Sequence, residues 1–371
     1  MAAPATKQTQ HLKGDHMKTA STFNHQRHGL SCIVPPDLLK RLGLEGKPDV
    51  RKTALDTLSI DHSLRLARAE SVGRRVPGQR SFGSLVGNDG PNRVIHDQKG
   101  STTTIGQVVR SEGQRANKDV SVNEAYDGLG ATYKFFKKVF QRDSIDGAGM
   151  ALHGLVHYGT NHNNAMWDGQ EMIFGDGDGV NFLSFTKSLD VIGHELTHGV
   201  TQFEANLVYS RQSGALNESI SDVFGSLVKQ YALGHDAATA DWLIGPDCVG
   251  TALQIALRSM KAPGTANNFD DQPSDMDGYV NTIEDNGGVH TNSGIPNHAF
   301  YLAATEIGGN AWDQAGHIWY DALRDPRLRP NSGFRSFARG TRRQADSVYG
   351  TGSAESTAVK NAWDAVKVTT Q

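Results

Sequence analysis

The chain has 371 residues and a mass of 40.1 kDa, which is enough for two domains and an additional segment. Its formal net charge of −3 gives no electrostatic footprint for nucleic acid. No apolar run approaches the roughly 18 residues that a membrane-spanning helix requires. We therefore expect neither nucleic acid nor a membrane as a partner. With only 2 cysteines, the fold does not depend on disulfides.

The N-terminal region is polar. Residues 1–17 predict a disordered leader, or a region upstream of an alternative start at Met17. Residues 1–30 contain no apolar stretch of the kind found at the centre of a secretory signal peptide. We therefore predict a cytoplasmic protein, or one that is exported by a non-classical route.

Residues 18–75 predict a small helical domain. Pro36 suits the start of a first helix and Pro48 the start of a second, while Asp61 or Ser63 is a candidate cap for a third. Four arginines in a stretch with Gly, Pro and Ser then predict an exposed junction: Arg68, Arg74, Arg75 and Arg80.

Residues 76–187 favour strands and turns, interrupted by one helix over residues 122–139. His153 and His157 stand four residues apart, but their surroundings are strand-like, so the two rings do not share a helical face. We interpret both as structural. Residues 175–179 alternate Gly and Asp without the twelve-residue pattern of an EF-hand, which favours a tight turn.

The stretch His194-Glu195-Leu196-Thr197-His198 predicts half of a catalytic zinc site. On a helix, which Asp190 is placed to cap, residues four apart share one face, so two imidazoles can converge on one ion. Glu195 is placed to act as a base on metal-bound water. On this motif alone, a helix with two surface histidines remains the alternative.

A second helical pattern supplies an acidic pair in Glu218 and Asp222. Glu218 can be the third ligand, which leaves the fourth position open as a catalytic zinc requires. Asp222, one turn later, suits a carboxylate that orients a ligand imidazole. A structural zinc site would need a fourth protein ligand, usually cysteine, and neither Cys32 nor Cys248 has the spacing for it.

Five sequence blocks, in order and at near-constant spacing, resemble the thermolysin-like metallopeptidases, and within them the protealysin-like group with short propeptides. The blocks are residues 163–167, 175–179, 194–198, 214–218 and 285–290. The resemblance implies an α+β fold with a β-rich N-terminal lobe (76–187) and a helical C-terminal lobe (188–371). The zinc helix lies between the lobes, and residues 18–75 are the propeptide.

The resemblance also implies a zinc-dependent endopeptidase that is made as an autoinhibited precursor. It cleaves protein or peptide substrates and prefers a hydrophobic residue after the cleaved bond. The implied zinc ligands are His194, His198 and Glu218, with Asp222 bonded to a ligand histidine. The implied catalytic residues are Glu195, which activates water, Tyr209 and His290, which stabilise the oxyanion, and Asp285, which orients His290.

The remaining implied positions bind substrate. Arg258 matches the residue that binds the carbonyl beyond the scissile bond, and Asn164 and Ala165 match the edge that holds substrate backbone. The pocket for the hydrophobic side chain matches Phe182, Val191 and Leu257. The alternatives are a catalytically idle zinc protein that binds peptides in the same cleft, and a zinc hydrolase that acts on other substrates.

Pro35 and Pro36 belong to a Pro-Pro-x-Leu signature that resembles the short propeptides, so the chain's own propeptide is the expected intramolecular inhibitor. The alternative is a small helical interaction module without an inhibitory role. Cys32 lies just before the signature, and three readings of this residue stay open. Its thiolate could fill the open position on zinc, it could be a small buried apolar residue, or it could form a disulfide with Cys248.

Calcium is doubtful. The family's calcium pair beside zinc is held by several carboxylates, and Asp190, Asp241 and Asp247 stand at matching positions. The other expected carboxylates are replaced, by Lys229, Leu243 and Pro246. A lysine ammonium would supply the positive charge instead of binding it.

Overall fold

Ten α-helices, two short 3₁₀ helices and eight strands form within residues 31–73, 90–103 and 105–370, which are the residues that this computed structural model describes. The helices are α1 (Pro36–Glu45), α2 (Pro48–Gly73), α3 (Val120–Phe140), α4 (Leu189–Glu204), α5 (Arg211–Leu233), α6 (Asp285–Asn292), α7 (Gly294–Ile307), α8 (Gln314–Leu323), α9 (Phe334–Tyr349) and α10 (Ala354–Ala365). The strands are β1 (Ser31–Cys32), β2 (Arg93–Asp97), β3 (Gln107–Ser111), β4 (Leu152–Val156), β5 (Ala165–Trp167), β6 (Glu171–Phe174), β7 (Leu243–Ile244) and β8 (Arg258–Ser259).

Six strands form one mixed sheet in the order β1-β5-β6-β4-β2-β3. The neighbours β2, β4 and β6 run parallel, and β5 and β1 continue the sheet antiparallel. The helix α3 packs on this sheet and confirms the predicted helix over 122–139. It begins after Asp119, whose side chain accepts a hydrogen bond from the backbone N–H of Ser121 at 2.9 Å.

Helices α5 to α10 build the second lobe, and α4 lies between this lobe and the sheet. The prediction of a two-lobed α+β fold is therefore confirmed. Helices α4 and α5 pack closely because Gly225 has no side chain: a Cβ there would lie 2.4 Å from the carbonyl oxygen of Asp190 and 2.9 Å from the backbone N of His194. This close approach brings His194 and His198 of α4 next to Glu218 and Asp222 of α5.

The described part of the N-terminal domain, residues 31–73, contains two helices, where the sequence predicted three. The first begins at Pro36 as expected, but the predicted second and third helices are one continuous helix, α2. Asp61 and Ser63 are therefore inside α2 and cap nothing. The physical reason is that residues 58–64 contain neither Gly nor Pro to end the helix. The predicted leader (1–17) and Arg74, Arg75 and Arg80 lie outside the described residues.

Two smaller expectations have clear outcomes. The helix α4 begins at Leu189 after Ser188, so Asp190 lies in the first turn and is not the cap. His153 lies on β4 and His157 directly after it, as expected for structural histidines. His157 lies between the carboxylates of Asp119 and Asp176, each 2.9 Å from a ring nitrogen.

None of the described helices is long and apolar enough to cross a bilayer.

Candidate metal centre and substrate cleft

Two histidines on α4 direct ring nitrogens at each other. His194 Nε2 lies 2.9 Å from His198 Nε2, because four residues make about one helical turn. The Nδ1 atom of each ring has an oxygen partner at 2.8 Å, which is Asp222 Oδ1 for His194 and Asn217 Oδ1 for His198. These partners hold the ring protons on Nδ1, so both Nε2 lone pairs face one point in the site.

Glu218 completes the group from α5. Its carboxylate oxygens lie 3.5 Å from the Nε2 atoms of His194 and His198. Within the described part of the chain, Glu218 Oε2 is buried without a hydrogen-bond partner. Burial and the neighbouring His194 hold the pKa of His198 well below its ordinary value, so this ring is a neutral donor. Two imidazoles and a carboxylate that converge with one position open fit a catalytic zinc ion.

Asp222 lies one turn after Glu218 and joins several partners. It accepts hydrogen bonds from Arg258 Nη2 at 2.7 Å and from Asn297 Nδ2 at 2.8 Å, besides the contact with His194. Burial opposes its ionisation, but Arg258 and His194 together hold the pKa of Asp222 below its ordinary range. Asp222 is therefore an ionised acceptor that fixes the orientation of the His194 ring.

Glu195 is fully buried on α4 beside the two histidines. Its Oε2 accepts a hydrogen bond from the backbone N–H of Trp167 at 2.8 Å. Its Oε1 has no hydrogen-bond partner among the residues that the structure describes. Burial raises the pKa of Glu195 well above its ordinary value, and the nearby Cys32 and Glu218 add to the shift. A carboxylate with a raised pKa and a free oxygen is suited to accept a proton.

Tyr209 and His290 also reach this group. The Tyr209 hydroxyl donates to Glu218 and lies 3.4 Å from His290 Nε2. His290 Nδ1 lies 2.8 Å from Asp285 Oδ1, and the His290 backbone N–H donates to Asp285 Oδ2 at 2.8 Å. Burial opposes a charge on His290, yet Asp285 and Glu218 raise its pKa well above the ordinary value. The ring is therefore a donor through Nε2.

Two glycines make the Asp285–His290 contact possible. Gly287 and Gly288 have φ angles of 91° and 72°, in the left-handed region that favours glycine. A Cβ on Gly287 would also lie only 2.7 Å from the side chain of Arg211. The resulting turn brings the carboxylate back against the ring five residues later.

Residues 32–34, directly before α1, lie across this site. His290 Nε2 donates to the carbonyl oxygen of Cys32 at 2.9 Å, and Arg258 Nη1 donates to the carbonyl oxygen of Ile33 at 2.9 Å. Strand β1 extends the sheet here, with Cys32 opposite Met166 of β5. The segment therefore takes the position of an added strand along the cleft.

The β5 side of the cleft holds the same segment through its backbone. The N–H of Ile33 donates to the carbonyl of Ala165 at 3.1 Å. The N–H of Val34 donates to Asn164 Oδ1 at 3.0 Å, and Asn164 Nδ2 donates back to the carbonyl of Val34 at 3.4 Å. Asn164 and Ala165, predicted to bind substrate backbone, thus bind the backbone of the chain's own N-terminal domain.

Asp61 of α2, predicted from the sequence to cap a helix, anchors that domain instead. Its carboxylate is 1% exposed and accepts hydrogen bonds from His162 Nε2 at 2.8 Å and Asn164 Nδ2 at 2.7 Å. One turn earlier, Thr57 Oγ1 accepts a hydrogen bond from the backbone N–H of Asn163 at 3.1 Å. Both contacts join α2 to the chain just before β5. They could not be read from local spacing, because the partners are about 100 residues away.

The polar contacts of the Cys32 thiol are made outside the group of predicted metal ligands. It contacts Arg65 Nη2 at 3.2 Å and the carbonyl oxygen of Val34 at 3.5 Å. It packs with an apolar group on the sheet that consists of Leu155, Tyr158, Met166 and Ile173. Cys32 and Cys248 are both free and buried, so the disulfide is not formed. This environment favours the reading of Cys32 as a small buried apolar residue.

Among the described residues, one group of His, Cys, Asp and Glu side chains has candidate ligand atoms within 4.8 Å of one another, and it consists of His194, Glu195 and His198. This group contains Glu195 in place of Glu218. The Glu218 oxygens lie 3.5 Å from both Nε2 atoms, whereas the Glu195 carboxylate is bonded to the backbone N–H of Trp167, so the geometry favours Glu218 as the third ligand. The predicted pocket residues Phe182, Val191 and Leu257 belong to one continuous buried apolar cluster, which also contains Ile33. Pro35 follows the segment of residues 32–34, and Pro36 is the first residue of α1.

Lys229 of α5 lies where a carboxylate was expected. Its ammonium lies 2.7 Å from Asp190 Oδ2, 3.1 Å from Asp241 Oδ2 and 2.9 Å from the carbonyl oxygen of Leu243. Burial opposes the charge, but Asp190 and Asp241 raise the pKa of Lys229 above its ordinary value. An ammonium therefore lies among these oxygens.

Comparison with known proteins gives two matching family models. Residues 88–202 match "Thermolysin metallopeptidase, catalytic domain", and residues 205–368 match "Thermolysin metallopeptidase, alpha-helical domain". Together the two models cover most of the chain.

Individual relatives extend the similarity to the N-terminal domain. An "Extracellular metalloprotease" of Pectobacterium carotovorum subsp. carotovorum is 48% identical over 91% of this chain and 96% of its own length. "Protease PrtS" of Photorhabdus sp. (strain Az29) is 43% identical over 87% of this chain and 89% of its own length. The solved structure of a protealysin precursor, a metalloproteinase from Serratia proteamaculans, has a TM-score of 0.81 at 46% identity, over 91% of this chain and 99% of that one.

One prediction is wrong. The sequence predicted a cytoplasmic protein or non-classical export, but the relative from Pectobacterium is named an extracellular metalloprotease. That similarity points to secretion. The prediction was weak in physical terms, because it relied on the absence of an apolar stretch and on few cysteines, and neither property specifies a location.

Proposed function

We propose the following residue roles for a chain that belongs to the thermolysin metallopeptidase family and is a zinc metalloendopeptidase made as a zymogen. His194, His198 and Glu218 would hold the zinc ion. The observation that carries this proposal is the position of the Nε2 atoms of His194 and His198, which lie 2.9 Å apart. Beside them, Glu218 Oε2 is buried without a hydrogen-bond partner in the described structure. When bound, zinc acts as a Lewis acid and lowers the pKa of water to about 7.

The protein's own side chains transfer the proton of the attacking water and stabilise the negative charge that develops on the substrate oxygen. Glu195, whose Oε1 is free and whose pKa is raised, takes the proton from the attacking water and passes it to the leaving amine. His290 and Tyr209 donate hydrogen bonds to the oxygen on which negative charge develops. Asp285 holds the His290 ring, so its Nε2–H stays directed into the cleft.

Substrate backbone binds between β5 and Arg258. Asn164 and Ala165 pair with the extended substrate, and Arg258 binds the carbonyl after the cleaved bond, as each does with residues 32–34. Phe182, Val191 and Leu257 line the apolar pocket for the side chain that follows the cleaved bond. A hydrophobic residue is preferred there because the pocket offers burial without a polar partner.

Metal removal tests this function. Treatment of the matured enzyme with a chelator should abolish hydrolysis of a peptide that carries leucine after the target bond, and added zinc should restore it. Metal analysis should give one zinc per chain. A control peptide with aspartate in place of that leucine should be cleaved much more slowly. Full hydrolysis by metal-free protein would contradict the proposal.

We also propose that Lys229 replaces calcium between Asp190 and Asp241. Replacement of Lys229 by methionine would leave the buried Asp190 carboxylate without its charged partner. We expect a loss of about 3–5 kcal/mol in the free energy of unfolding, measured by denaturant titration of the zinc-loaded protein. Replacement of the exposed Lys52 by methionine is the control, and added calcium should not stabilise the wild-type protein. A stable Lys229→Met protein, or calcium stabilisation, would contradict this role.

A further inference from the structure

We propose that the peptide bond between Cys32 and Ile33 is a substrate of the chain's own active site, an inference that rests on the proposed function. The segment around it is bound in the register of a substrate and does more than cover the cleft. The carbonyl of Cys32 faces His290, the proposed oxyanion donor, and the next carbonyl, of Ile33, faces Arg258. The bond between these two carbonyls is therefore in the position of the cleaved bond.

The backbone on both sides of this bond runs through the cleft in the direction that cleavage requires. The N–H of Ile33, which becomes the leaving amine, donates to the carbonyl of Ala165 at 3.1 Å. The next residue, Val34, exchanges hydrogen bonds with the side chain of Asn164. On the other side, β1 pairs antiparallel with β5 through Cys32 and Met166. A segment that ran through the cleft in the opposite direction would not match these donors and acceptors.

The side chain after the bond also fits. Ile33 is apolar and fully buried, and it belongs to the main hydrophobic core, so its side chain is enclosed as the residue after the bond would be in an apolar pocket. In the cleavage itself, the oxygen of water joins the carbonyl carbon of Cys32 and the carbon–nitrogen bond breaks. The products are a carboxylate on Cys32 and an ammonium group on Ile33, and no further reactant is needed.

The two products differ in how they are held. The part after the bond continues into α1 and α2, which are anchored by Asp61 at His162 and by Thr57 at Asn163. Arg41 of α1 adds an ion pair of 2.7 Å with Asp271 of the helical lobe. The described part before the bond is a strand of two residues. After cleavage, the part that begins at Ile33 therefore stays docked through these contacts.

The experiment follows the full-length chain after zinc is added to protein purified with a chelator. Mass spectrometry and N-terminal sequencing should show a species that begins at Ile33. Because the bond lies in its own active site, the rate constant should not change when the protein is diluted. Ile33→Asp should lower this rate roughly 10²-fold or more, since it places a charge in an apolar pocket. Ile33→Leu should keep it near the wild-type value.

Two further arms keep the result interpretable if Ile33→Asp disturbs docking. Matured enzyme should cleave a synthetic peptide of residues 29–38 between the same two residues, and the Glu195→Ala precursor should stay intact. An Ile33 N-terminus that also appears in Glu195→Ala would overturn the inference. The inference would also be overturned by a sample that hydrolyses an added peptide but never produces the Ile33 terminus. In that case the proposed function would still stand. Zinc-loaded matured enzyme that hydrolyses neither the added peptide nor the peptide of residues 29–38 would overturn both.

Discussion

Replacement of Glu195 by alanine is expected to lower kcat/KM for peptide hydrolysis by about 10⁴-fold, while zinc content stays unchanged. The three proposed zinc ligands do not depend on the Glu195 side chain, whose only hydrogen bond in the described structure is with the backbone N–H of Trp167. What the variant loses is the buried carboxylate oxygen that can accept a proton. Peptide kinetics together with metal analysis of the same sample separate this loss from loss of zinc.

Glu195→Gln is the matched variant. It keeps the size of the side chain and an oxygen for the Trp167 N–H, but it cannot accept the proton. It should therefore be as inactive as the alanine variant. Near wild-type turnover in either variant would remove Glu195 from the mechanism, and loss of zinc would show that it supports the ligands instead.

The parts of the site that were predictable from sequence are those fixed by helical spacing. His194 and His198 are one turn apart on α4, and Glu218 and Asp222 are one turn apart on α5. Local periodicity therefore determines which atoms share a face. The contact between the two helices depends on packing, and Gly225 allows it at a position that no helical pattern singles out.

The missed residues make contacts across long stretches of chain. Asn217 precedes Glu218 within a recognised block, yet its bond to His198 was not anticipated. Asn297 of α7 bonds Asp222 across 75 residues, and nothing in its own surroundings signals that contact. Asp61 was interpreted as a cap because Asp is common at helix N-termini. Its true partners, on another domain, decide its role.

Asp61 gives the second large expected effect, on the latency of the zymogen. Asp61→Ala should raise the activity of the uncleaved precursor towards a small peptide by about 10²-fold or more. The substitution removes one member of a buried polar group and leaves His162 and Asn164 without this hydrogen-bond partner, at a cost to docking of about 1–3 kcal/mol for each group left unpaired. Asn164 also loses the partner that orients its amide towards Val34, so the blocking segment is loosened directly.

The measurement needs a precursor that stays in one piece, so activity is recorded immediately after zinc is added and the chain length is checked by mass. Asp56→Ala is the matched control, because Asp56 lies on the same helix and pairs only with the exposed Lys52. That variant should keep wild-type latency. Asp61→Asn, which keeps the shape and one acceptor oxygen, should fall between the two. Unchanged latency in Asp61→Ala would mean that the residues at the cleft hold the propeptide in place without the α2 anchor.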